Sequence, residues 1–464
     1  MRRTLSIILA TLLCFSAVGC SGGEKPQDDT IHSGSGVVAF TSSSSEEVQP
    51  PAQAESPAAA ESSVEAEQPT ASEAPTPAPS PAPSPSVPVA TRPGVDEVRS
   101  VWISYLELQG LMTGNSSSQF RSEIADVFKT GADFGLNTVV LQVRPFADAI
   151  YPSEIFPQSY LFTGKEGHVG EAPYDALAIA IEEARKCGLR LEAWINPYRI
   201  RNSASRDLSS DNPAEAMLES GDAVKMGEVI TYNPASTKAQ ELIVNGVVEI
   251  VKNYDVDAIH FDDYFYPTTD AAFDKDDYSA YKSSGGTKSL AAWRRSNVTA
   301  LIRKVHDAIE ATKPSVLFGI SPQGNMQNNL NAQFVDVEEI VKAGLVDYIC
   351  PQMYFGFQNS GCPYGSTIKD FNMMTRGTDV KVYVGLATYK FGTADSWAGE
   401  GKNEWIGTTD ILKRQVEAAR ELSCYGGFVL YRYDSTFRHK SFFSGYPSVW
   451  PQVESELSNL KMLL

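Results

Sequence analysis

Three acidic residues stand where they could act on a substrate. Asp262 and Asp263 lie in the second half of the strand-like segment Val256–Phe265, and Asp148 follows a second apolar segment. Enzymes that hydrolyse glycosidic bonds typically use two carboxyl groups, one as proton donor and the other as nucleophile or base. We therefore predict that Asp262 is catalytic and that Asp263 or Asp148 supplies the second carboxyl group. Because adjacent strand residues face opposite ways, Asp263 reaches the same site only if the strand ends or kinks there.

Polar and aromatic side chains recur at the ends of four strand-like segments. In a barrel, alternate residues of each strand face the interior. Burying an unpaired polar group costs about 1–3 kcal/mol, so a convergence of such groups predicts a substrate-binding site. The alternative is a hydrogen-bonded structural network, a role that fits His260 equally well. The side chains expected to face the barrel mouth are Gln142, Arg144, Trp194, Asn196, His260, Asp262, Tyr264, Gln352 and Tyr354.

The elements that must position these residues alternate between strand and helix over residues 98–464. Eight strand–helix units predict an α/β fold, a (β/α)8 TIM-type barrel with enlarged βα loops and a site at the C-terminal strand ends. A doubly wound open sheet is the alternative, weakened because no Gly-x-Gly-x-x-Gly motif follows the first strand. The predicted strands are Val98–Tyr105, Leu136–Arg144, Leu189–Pro197, Val256–Phe265, Val316–Ser321, Val346–Tyr354, Val380–Tyr389 and Gly427–Tyr433. The predicted helices are Phe120–Phe134, Tyr174–Cys187, Thr237–Tyr254, Leu290–Lys313, Val335–Ala343, Ile368–Arg376, Asp410–Leu422 and Ser448–Met462.

The N-terminal residues predict export and anchoring. Two arginines precede the apolar segment Leu5–Val18, and small residues follow it up to Cys20, as is typical of bacterial lipoprotein signals. We expect residues 1–19 to be a signal peptide and Cys20 to be lipidated; an ordinary signal peptide is the alternative. Residues 20–97 are rich in Pro, Ala, Ser and Glu and predict a disordered tether. This tether would hold the domain at 98–464 outside the membrane.

The formal net charge is −18, from 39 Lys and Arg against 57 Asp and Glu. This balance argues against a nucleic-acid partner, because binding a phosphate backbone needs a basic surface. The cysteines of the domain fit no zinc-binding spacing, so no metal or other cofactor is expected. We predict free thiols, with the state of Cys362 left open, at Cys187, Cys350, Cys362 and Cys424.

Several blocks of the chain resemble the glycosyl hydrolase-like 10 family of bacterial proteins. The most specific is VDAIHFDDYFYP at 256–267, and weaker ones extend the resemblance over about residues 98–440. The family includes lipoproteins and enzymes that cleave peptidoglycan glycans stripped of their stem peptides. The resemblance implies a barrel fold, glycan hydrolysis and functional residues at Gln142, Arg144, Asp148, Asn196, Asp262, Asp263, Gln352, Tyr354 and Lys390.

Two departures bear on the chemistry. The fourth-strand block is similar to the chitinase pattern D-x-x-D-x-D-x-E, but Tyr264 stands in place of its essential Glu. Catalysis through the substrate's acetamide is therefore not expected. Gln323 stands where the family commonly has Phe, and we expect it to add a polar substrate-binding group near the mouth.

Taken together, these patterns predict a membrane-anchored, extracytoplasmic glycoside hydrolase that acts on cell-wall glycan, with peptidoglycan strands as its substrate. Two alternatives stay open: a hydrolase of another extracellular polysaccharide, and a glycan-binding lipoprotein without catalytic activity. The presence of both Asp262 and Asp263 argues against the inactive protein.

Overall fold

The computed structural model describes residues 95–203 and 206–464. The predicted signal peptide, the lipidation site Cys20 and almost all of the predicted tether lie outside the described residues. Val95 packs against the apolar interior of the barrel, and the Glu97 carboxylate accepts hydrogen bonds from Arg420 at 2.9 Å and from Tyr425 at 2.7 Å. The folded domain therefore includes Glu97, which the sequence analysis assigned to the tether.

Eight parallel strands form a closed barrel. The described residues contain the strands β1 (Val98–Ile103), β2 (Thr138–Arg144), β3 (Arg190–Ile195), β4 (Arg199–Arg201), β5 (Ala223–Met226), β6 (Val229–Tyr232), β7 (Ala258–Phe261), β8 (Leu317–Ile320), β9 (Tyr348–Ile349), β10 (Lys381–Ala387) and β11 (Tyr425–Tyr431). The barrel order is β1-β2-β3-β7-β8-β9-β10-β11, with β11 paired back to β1. This confirms the predicted (β/α)8 barrel. Each predicted strand is present, seven of them in shorter form, whereas the strand predicted at Gly427–Tyr433 lies two residues earlier, at Tyr425–Tyr431.

Helices surround the barrel, and each predicted helix is present. Serine side chains cap several of their N-termini: Ser116 accepts a hydrogen bond from Gln119 N–H, and Ser236 accepts one from Ala239 N–H. The helices are α1 (Tyr105–Met112), α2 (Ser117–Phe134), α3 (Ala176–Lys186), α4 (Pro213–Ser220), α5 (Thr237–Asn253), α6 (Lys275–Ser283), α7 (Leu290–Thr312), α8 (Met326–Asn331), α9 (Val337–Lys342), α10 (Tyr364–Thr375), α11 (Ile411–Arg420), α12 (Tyr433–Phe437), α13 (His439–Phe442) and α14 (Trp450–Lys461). Short 3₁₀ helices cover Gly399–Asn403 and Pro447–Val449.

The enlarged βα loops hold elements that the sequence analysis did not predict. Between β3 and α5, the strands β4, β5 and β6 form a small antiparallel sheet in the order β4-β6-β5. The helices α1, α4, α6, α8, α12 and α13 were also missed. All of these elements are short, and short segments carry little periodic signal.

Two apolar layers lie on the two sides of the barrel wall. The outer layer, between strands and helices, includes Val139, Leu141 and Val143 of β2, as their parity predicted. The inner layer fills the barrel with Val98, Trp102, Val140, Trp194, Ala258, Tyr348, Cys350, Tyr383 and Val429. The barrel is therefore a packed core below its mouth, not a channel.

The four cysteines of the domain are unpaired in the structure. Cys350 and Cys424 are buried, whereas Cys187 and the loop residue Cys362 are half-buried. Within residues 95–203 and 206–464, none of the helices has the length and apolar character needed to cross a bilayer.

Arg144 does not point into the barrel mouth, so the parity prediction is wrong there. The pairing of β2 with β3 shifts register between Gln142 and Arg144, which changes the direction of the arginine. Its guanidinium lies over the ring of Phe156, 3.7 Å from the centroid, and the side chain is fully buried. Gly246 of α5 makes room for this pair, because a Cβ there would collide with both side chains.

Replacing Gly246 by Ala should destabilise the domain although Ala is the better helix former. The added methyl group must displace the buried Arg144 or Phe156, and overpacking of this kind costs about 1–3 kcal/mol. Gly110→Ala in α1 is the matched control, since its Cβ would meet nothing within 4 Å. That change should be neutral or stabilise by about 0.5–1 kcal/mol. Urea unfolding of both variants checks this; equal stabilities would contradict the packing described for Arg144.

Candidate active site

The C-terminal end of β7 places two acids side by side at the barrel mouth. Because β7 ends at Phe261, Asp262 and Asp263 lie in the following loop and are not bound by strand alternation. The side chains are only 4% and 8% exposed. The sequence analysis required the strand to end beside the two acids if both were to reach one site, and the strand does end there.

A chain of amides leads to Asp262 from the neighbouring strands. The backbone N–H of Tyr105 donates to Gln142 Oε1 at 2.8 Å, and Gln142 Nε2 donates to Asn196 Oδ1. Asn196 Nδ2 in turn donates to the Asp262 carboxylate. Each amide accepts a hydrogen bond at its oxygen and donates one from its nitrogen. The hydrogen bonds therefore all run in one direction, from Tyr105 to the Asp262 carboxylate. The structure thus brings the predicted residues Gln142 and Asn196 to Asp262.

Asp263 is held from the other side of the mouth. Gln323 Nε2 donates to its Oδ2 and Gln352 Nε2 donates to its Oδ1, both at 3.0 Å. These glutamines follow β8 and β9, the next strands of the barrel. Each carboxylate oxygen of Asp263 therefore has its own amide donor, and both predicted glutamines lie at the site.

Burial dominates the electrostatics of this acid pair. Loss of solvation raises the pKa of Asp262 to about 7, the nearby Asp263 carboxylate also raises it, and Arg199 lowers it. Burial likewise raises the pKa of Asp263, against the two glutamine amides that favour its charged form. Two adjacent carboxyl groups in a site of low polarity do not ionise independently, so the pair retains a proton near neutral pH.

Aromatic side chains form the rim above the acids. Tyr264 is 37% exposed, and its ring lies 5.0 Å from the guanidinium carbon of Arg199. On the opposite side, Tyr354 packs edge-on against Tyr389, with ring centroids 5.8 Å apart. Tyr354 is buried and Tyr389 half-buried, so Tyr264 is the ring most open to packing against the apolar face of a sugar.

Lys390 supports this rim from below rather than facing the acids. Its ammonium group donates to the Tyr354 carbonyl at 2.7 Å and pairs with Asp395 at 2.6 Å. These contacts tie the loop after β10 to the segment after β9. The charge of Lys390 is thus paired within the protein, and its predicted role in substrate binding stays a prediction.

His260 lies too deep in the barrel to bind a substrate, so that prediction is wrong. The side chain is completely buried, Trp102 Nε1 donates to its Nε2 at 3.2 Å, and its Nδ1 lies 3.0 Å from the Tyr348 hydroxyl. Burial lowers the pKa of His260 to about 3, so the ring is neutral. Trp194 also packs in the interior of the barrel. It lies beside Asp262 and lowers the pKa of that carboxyl group, although the indole N–H does not meet the geometry of a hydrogen bond.

Asp148 has its hydrogen-bond partners within the loop after β2. It lines a neighbouring cavity and accepts hydrogen bonds from the Ser159 hydroxyl at 2.8 Å and from the Tyr160 N–H at 3.0 Å. Of the two candidates for the second acid, Asp263 is therefore the one that lies beside Asp262, and the catalytic role of either stays a prediction. In the described part of the chain, no group of three or more His, Cys, Asp and Glu residues is arranged to hold a metal ion.

Sequence reasoning missed Arg199. Its guanidinium lies over Tyr264 and over Phe146, 4.7 Å from the latter's centroid, and it lowers the pKa of Asp262. It begins β4, part of the small sheet that periodicity did not reveal. The available signal was its place in the segment Asn196-Pro-Tyr-Arg199, directly after an inward-facing asparagine.

A comparison with solved structures supports the fold. The PgaB (BpsB) glycoside hydrolase domain from Bordetella bronchiseptica superimposes with a TM-score of 0.50 at 14% sequence identity. The match covers 77% of this chain and 98% of that domain. At this identity, the similarity concerns the architecture alone.

Sequence comparisons give a closer relationship. The chain is 31% identical to glycosyl hydrolase DigH from Escherichia coli O6:H1, over 75% of this chain and 85% of that protein. It is 34% identical to glycosyl hydrolase YngK from Bacillus subtilis, over 72% of this chain and 69% of that protein. The sequence pattern of one family, described as glycosyl hydrolase-like 10, matches residues 97–400. With these matches the resemblance noted in the sequence is confirmed, and the chain belongs to the glycosyl hydrolase-like 10 family.

Proposed function

We propose that this protein is a glycoside hydrolase that cleaves bacterial cell-wall glycan, with peptidoglycan strands as its substrate, while anchored to the membrane through lipidated Cys20. The observation that carries the hydrolase is the acid pair: Asp262 and Asp263 lie adjacent at the barrel mouth, each held by side-chain amides. An inactive binding protein would have no need to bury two neighbouring carboxyl groups beneath its substrate surface.

The chemistry follows from the shared proton. One carboxyl group of the pair gives its proton to the glycosidic oxygen as the bond to the anomeric carbon breaks. The other, as a carboxylate, attacks that carbon, activates a water or stabilises the positive charge that develops on the sugar ring. The amides of Asn196, Gln323 and Gln352 hold the carboxyl groups in place during both steps. The rings at the rim pack against the sugars on either side of the bond.

Support for the cell-wall substrate comes from the family and from the N-terminal sequence. The relatives are named glycosyl hydrolases, and the pattern around Cys20 is typical of exported lipoproteins. A tether of residues 20–97 would let the domain reach glycan above a membrane surface. The net charge of −18 is compatible with a neutral or weakly charged polymer and opposes binding to polyanions.

Asp262→Asn should abolish most turnover while leaving the fold intact. The substitution keeps the shape and the bond from Asn196 but removes the ionisable group, so we expect a loss of about 10³-fold or more, roughly 4 kcal/mol of transition-state stabilisation. The assay is release of soluble fragments from purified peptidoglycan glycan stripped of stem peptides. Purified extracellular polysaccharides, tested in parallel, cover the alternative substrates.

Asp307→Asn, an exposed acid of α7, is the matched control and should retain full activity. A folded Asp262→Asn protein that digests the glycan at the wild-type rate would refute the role of Asp262. A wild-type protein that binds stripped glycan but cleaves none of the polymers would instead indicate a binding protein.

The raised pKa of Asp262 also predicts a pH-dependent difference in stability. A carboxyl group whose pKa is about 7 when folded and near 4 when unfolded binds its proton more tightly in the folded state. Its contribution to the free energy of unfolding is complete below pH 4 and is lost as the pH rises towards 7. Asp262→Asn cannot ionise, so relative to wild type it should gain about 3–4 kcal/mol between pH 4 and pH 8. Thermal or urea unfolding at both pH values measures this; a difference that is constant with pH would show that Asp262 ionises normally.

Cys20→Ser should release the protein from the membrane fraction. A diacylated cysteine supplies the apolar anchor, and without it most of the protein should appear in the soluble extracytoplasmic fraction. Cys187→Ser, a half-buried cysteine of the domain, serves as the control and should stay with the membrane. Fractionation with and without detergent decides the question; a Cys20→Ser protein that still needs detergent is anchored in another way.

A further inference from the structure

Trp397 is the most exposed of the large apolar side chains in the described part of the chain. It lies in the long loop between β10 and α11, and 70% of its surface is accessible. Because this loop follows a barrel strand, it stands at the C-terminal end of the barrel, the end that carries Asp262 and Asp263. A single exposed apolar residue is common on protein surfaces, so the contacts of its loop decide whether Trp397 has a role.

Hydrogen bonds connect this loop to the segment that holds the acid pair. Gln352, one of the amide donors to the pair, lies just after β9. Two residues further on, the Tyr354 carbonyl accepts a hydrogen bond from Lys390 Nζ at 2.7 Å. Lys390 also pairs with Asp395, whose Oδ1 accepts a hydrogen bond from the Trp397 N–H at 3.2 Å. Trp397 is thus part of the same rim, but a backbone segment and two side chains separate it from the acids.

The loop that carries Trp397 is docked along its length on the segment after β9. The Ser360 N–H donates to the Ala398 carbonyl at 3.0 Å, and the Glu400 N–H donates to Ser360 Oγ at 3.1 Å. Further along, the Glu404 carboxylate accepts hydrogen bonds from two successive backbone N–H groups of that segment, both at 2.8 Å. Folding has already fixed this loop, so the indole that it carries binds a ligand without a further cost for ordering the backbone.

Two glycines allow the two segments to approach so closely. A Cβ at Gly401 would lie 2.5 Å from the Gln358 carbonyl oxygen and 2.8 Å from the Asn359 nitrogen. Gly399 has a φ of +57°, in the left-handed region that favours glycine, and a Cβ there would collide with Ser360 Oγ. The glycines directly after the tryptophan therefore fix the position at which the indole is exposed.

We propose that the indole of Trp397 is a stacking surface for a sugar ring of the bound glycan, several sugars away from the bond that is cleaved. The flat apolar face of the indole matches the C–H face of a pyranose ring. Its neighbours Ser396 and Glu400 are exposed and polar. One ring among polar residues fits a single sugar rather than a stable protein interface, which buries about 800 Å² per partner.

This stacking surface would give the enzyme a preference for chain length. A short oligosaccharide that occupies the site at Asp262 and Asp263 does not extend to Trp397, whereas a long strand contacts both places at once. The inference rests on the proposed glycoside hydrolase function and adds that the substrate is the polymer rather than its short fragments.

The test measures binding separately from cleavage, in full-length Asp262→Asn protein. Calorimetry compares long peptidoglycan glycan strands, stripped of stem peptides, with the tetrasaccharide of the same repeat. We expect Trp397→Ala in this background to bind the long strands about 10-fold more weakly, which corresponds to 1.4 kcal/mol, and the tetrasaccharide with unchanged affinity. Met373→Ala is the matched control and should change neither affinity. Met373 is 58% exposed and lies near the C-terminus of α10, at the end of the barrel opposite the mouth.

Two further variants separate a stacking ring from a merely apolar side chain. Trp397→Phe retains a flat ring and should keep most of the affinity for long strands. Trp397→Leu retains apolar surface without a flat face and should bind as weakly as Trp397→Ala. All three variants should unfold at the same temperature as their Asp262→Asn parent, because the side chain is exposed.

A folded Trp397→Ala protein that binds long strands as tightly as its parent would overturn the inference. A parent protein that binds long strands no more tightly than the tetrasaccharide would overturn it as well. Wild-type cleavage of the same strands is scored independently. Binding that depends on Trp397 without any cleavage would refute the hydrolase and support the stacking surface, whereas cleavage with binding that does not depend on Trp397 would do the reverse.

Discussion

The burial of two adjacent carboxyl groups at the end of β7 is the constraint on which the site depends. A buried charge without partners is too costly to keep, so Asp262 and Asp263 require donors and retain a proton between them. The donors come from both directions around the barrel: Gln142 and Asn196 from β2 and β3, Gln323 and Gln352 from the ends of β8 and β9. Five neighbouring strands must keep their register for this network to close.

The interior of the barrel below the site also buries polar side chains, and these are kept neutral or hydrogen-bonded to one another. His260 is uncharged and lies between Trp102 and Tyr348, whose hydroxyl donates to Glu192 at 2.7 Å. Burial raises the pKa of Glu192 to about 7, which reduces the charge carried in the interior. Since these groups bond to one another and not to solvent, they form a rigid floor beneath the acid pair. The polar residues of the barrel thus form two layers: a structural layer around His260, and above it the layer that holds Asp262 and Asp263.

The sequence analysis predicted the barrel and placed Asp262 and several amide side chains at its mouth, because these depend on strand periodicity and on residue type. It expected the amides to bind substrate, whereas in the structure they are hydrogen-bonded to one another and to the acid pair. It misplaced two residues, because periodicity gives neither the depth of a side chain nor an irregularity in strand pairing. Parity gives the direction of a side chain but not its depth, so His260 was assigned to the mouth. Parity also assumes a regular ladder, and the register shift after Gln142 turns Arg144 away from the barrel. Arg199 was missed because it begins a strand of three residues in a loop.

The residues that the sequence predicted and those that it missed lie in different parts of the fold. The groups proposed to break and make bonds lie at strand ends, where backbone pairing fixes their positions and where sequence patterns are strongest. Other residues around the mouth lie in the long loops after β2 and β3, whose short elements leave little periodic signal. Arg199 connects the two sets, because one guanidinium contacts the rings of Phe146 and Tyr264 and acts on Asp262. A sugar ring that packs on Tyr264 would therefore lie close to the guanidinium that lowers the pKa of Asp262, so substrate binding and the charge of the acid pair would be coupled electrostatically.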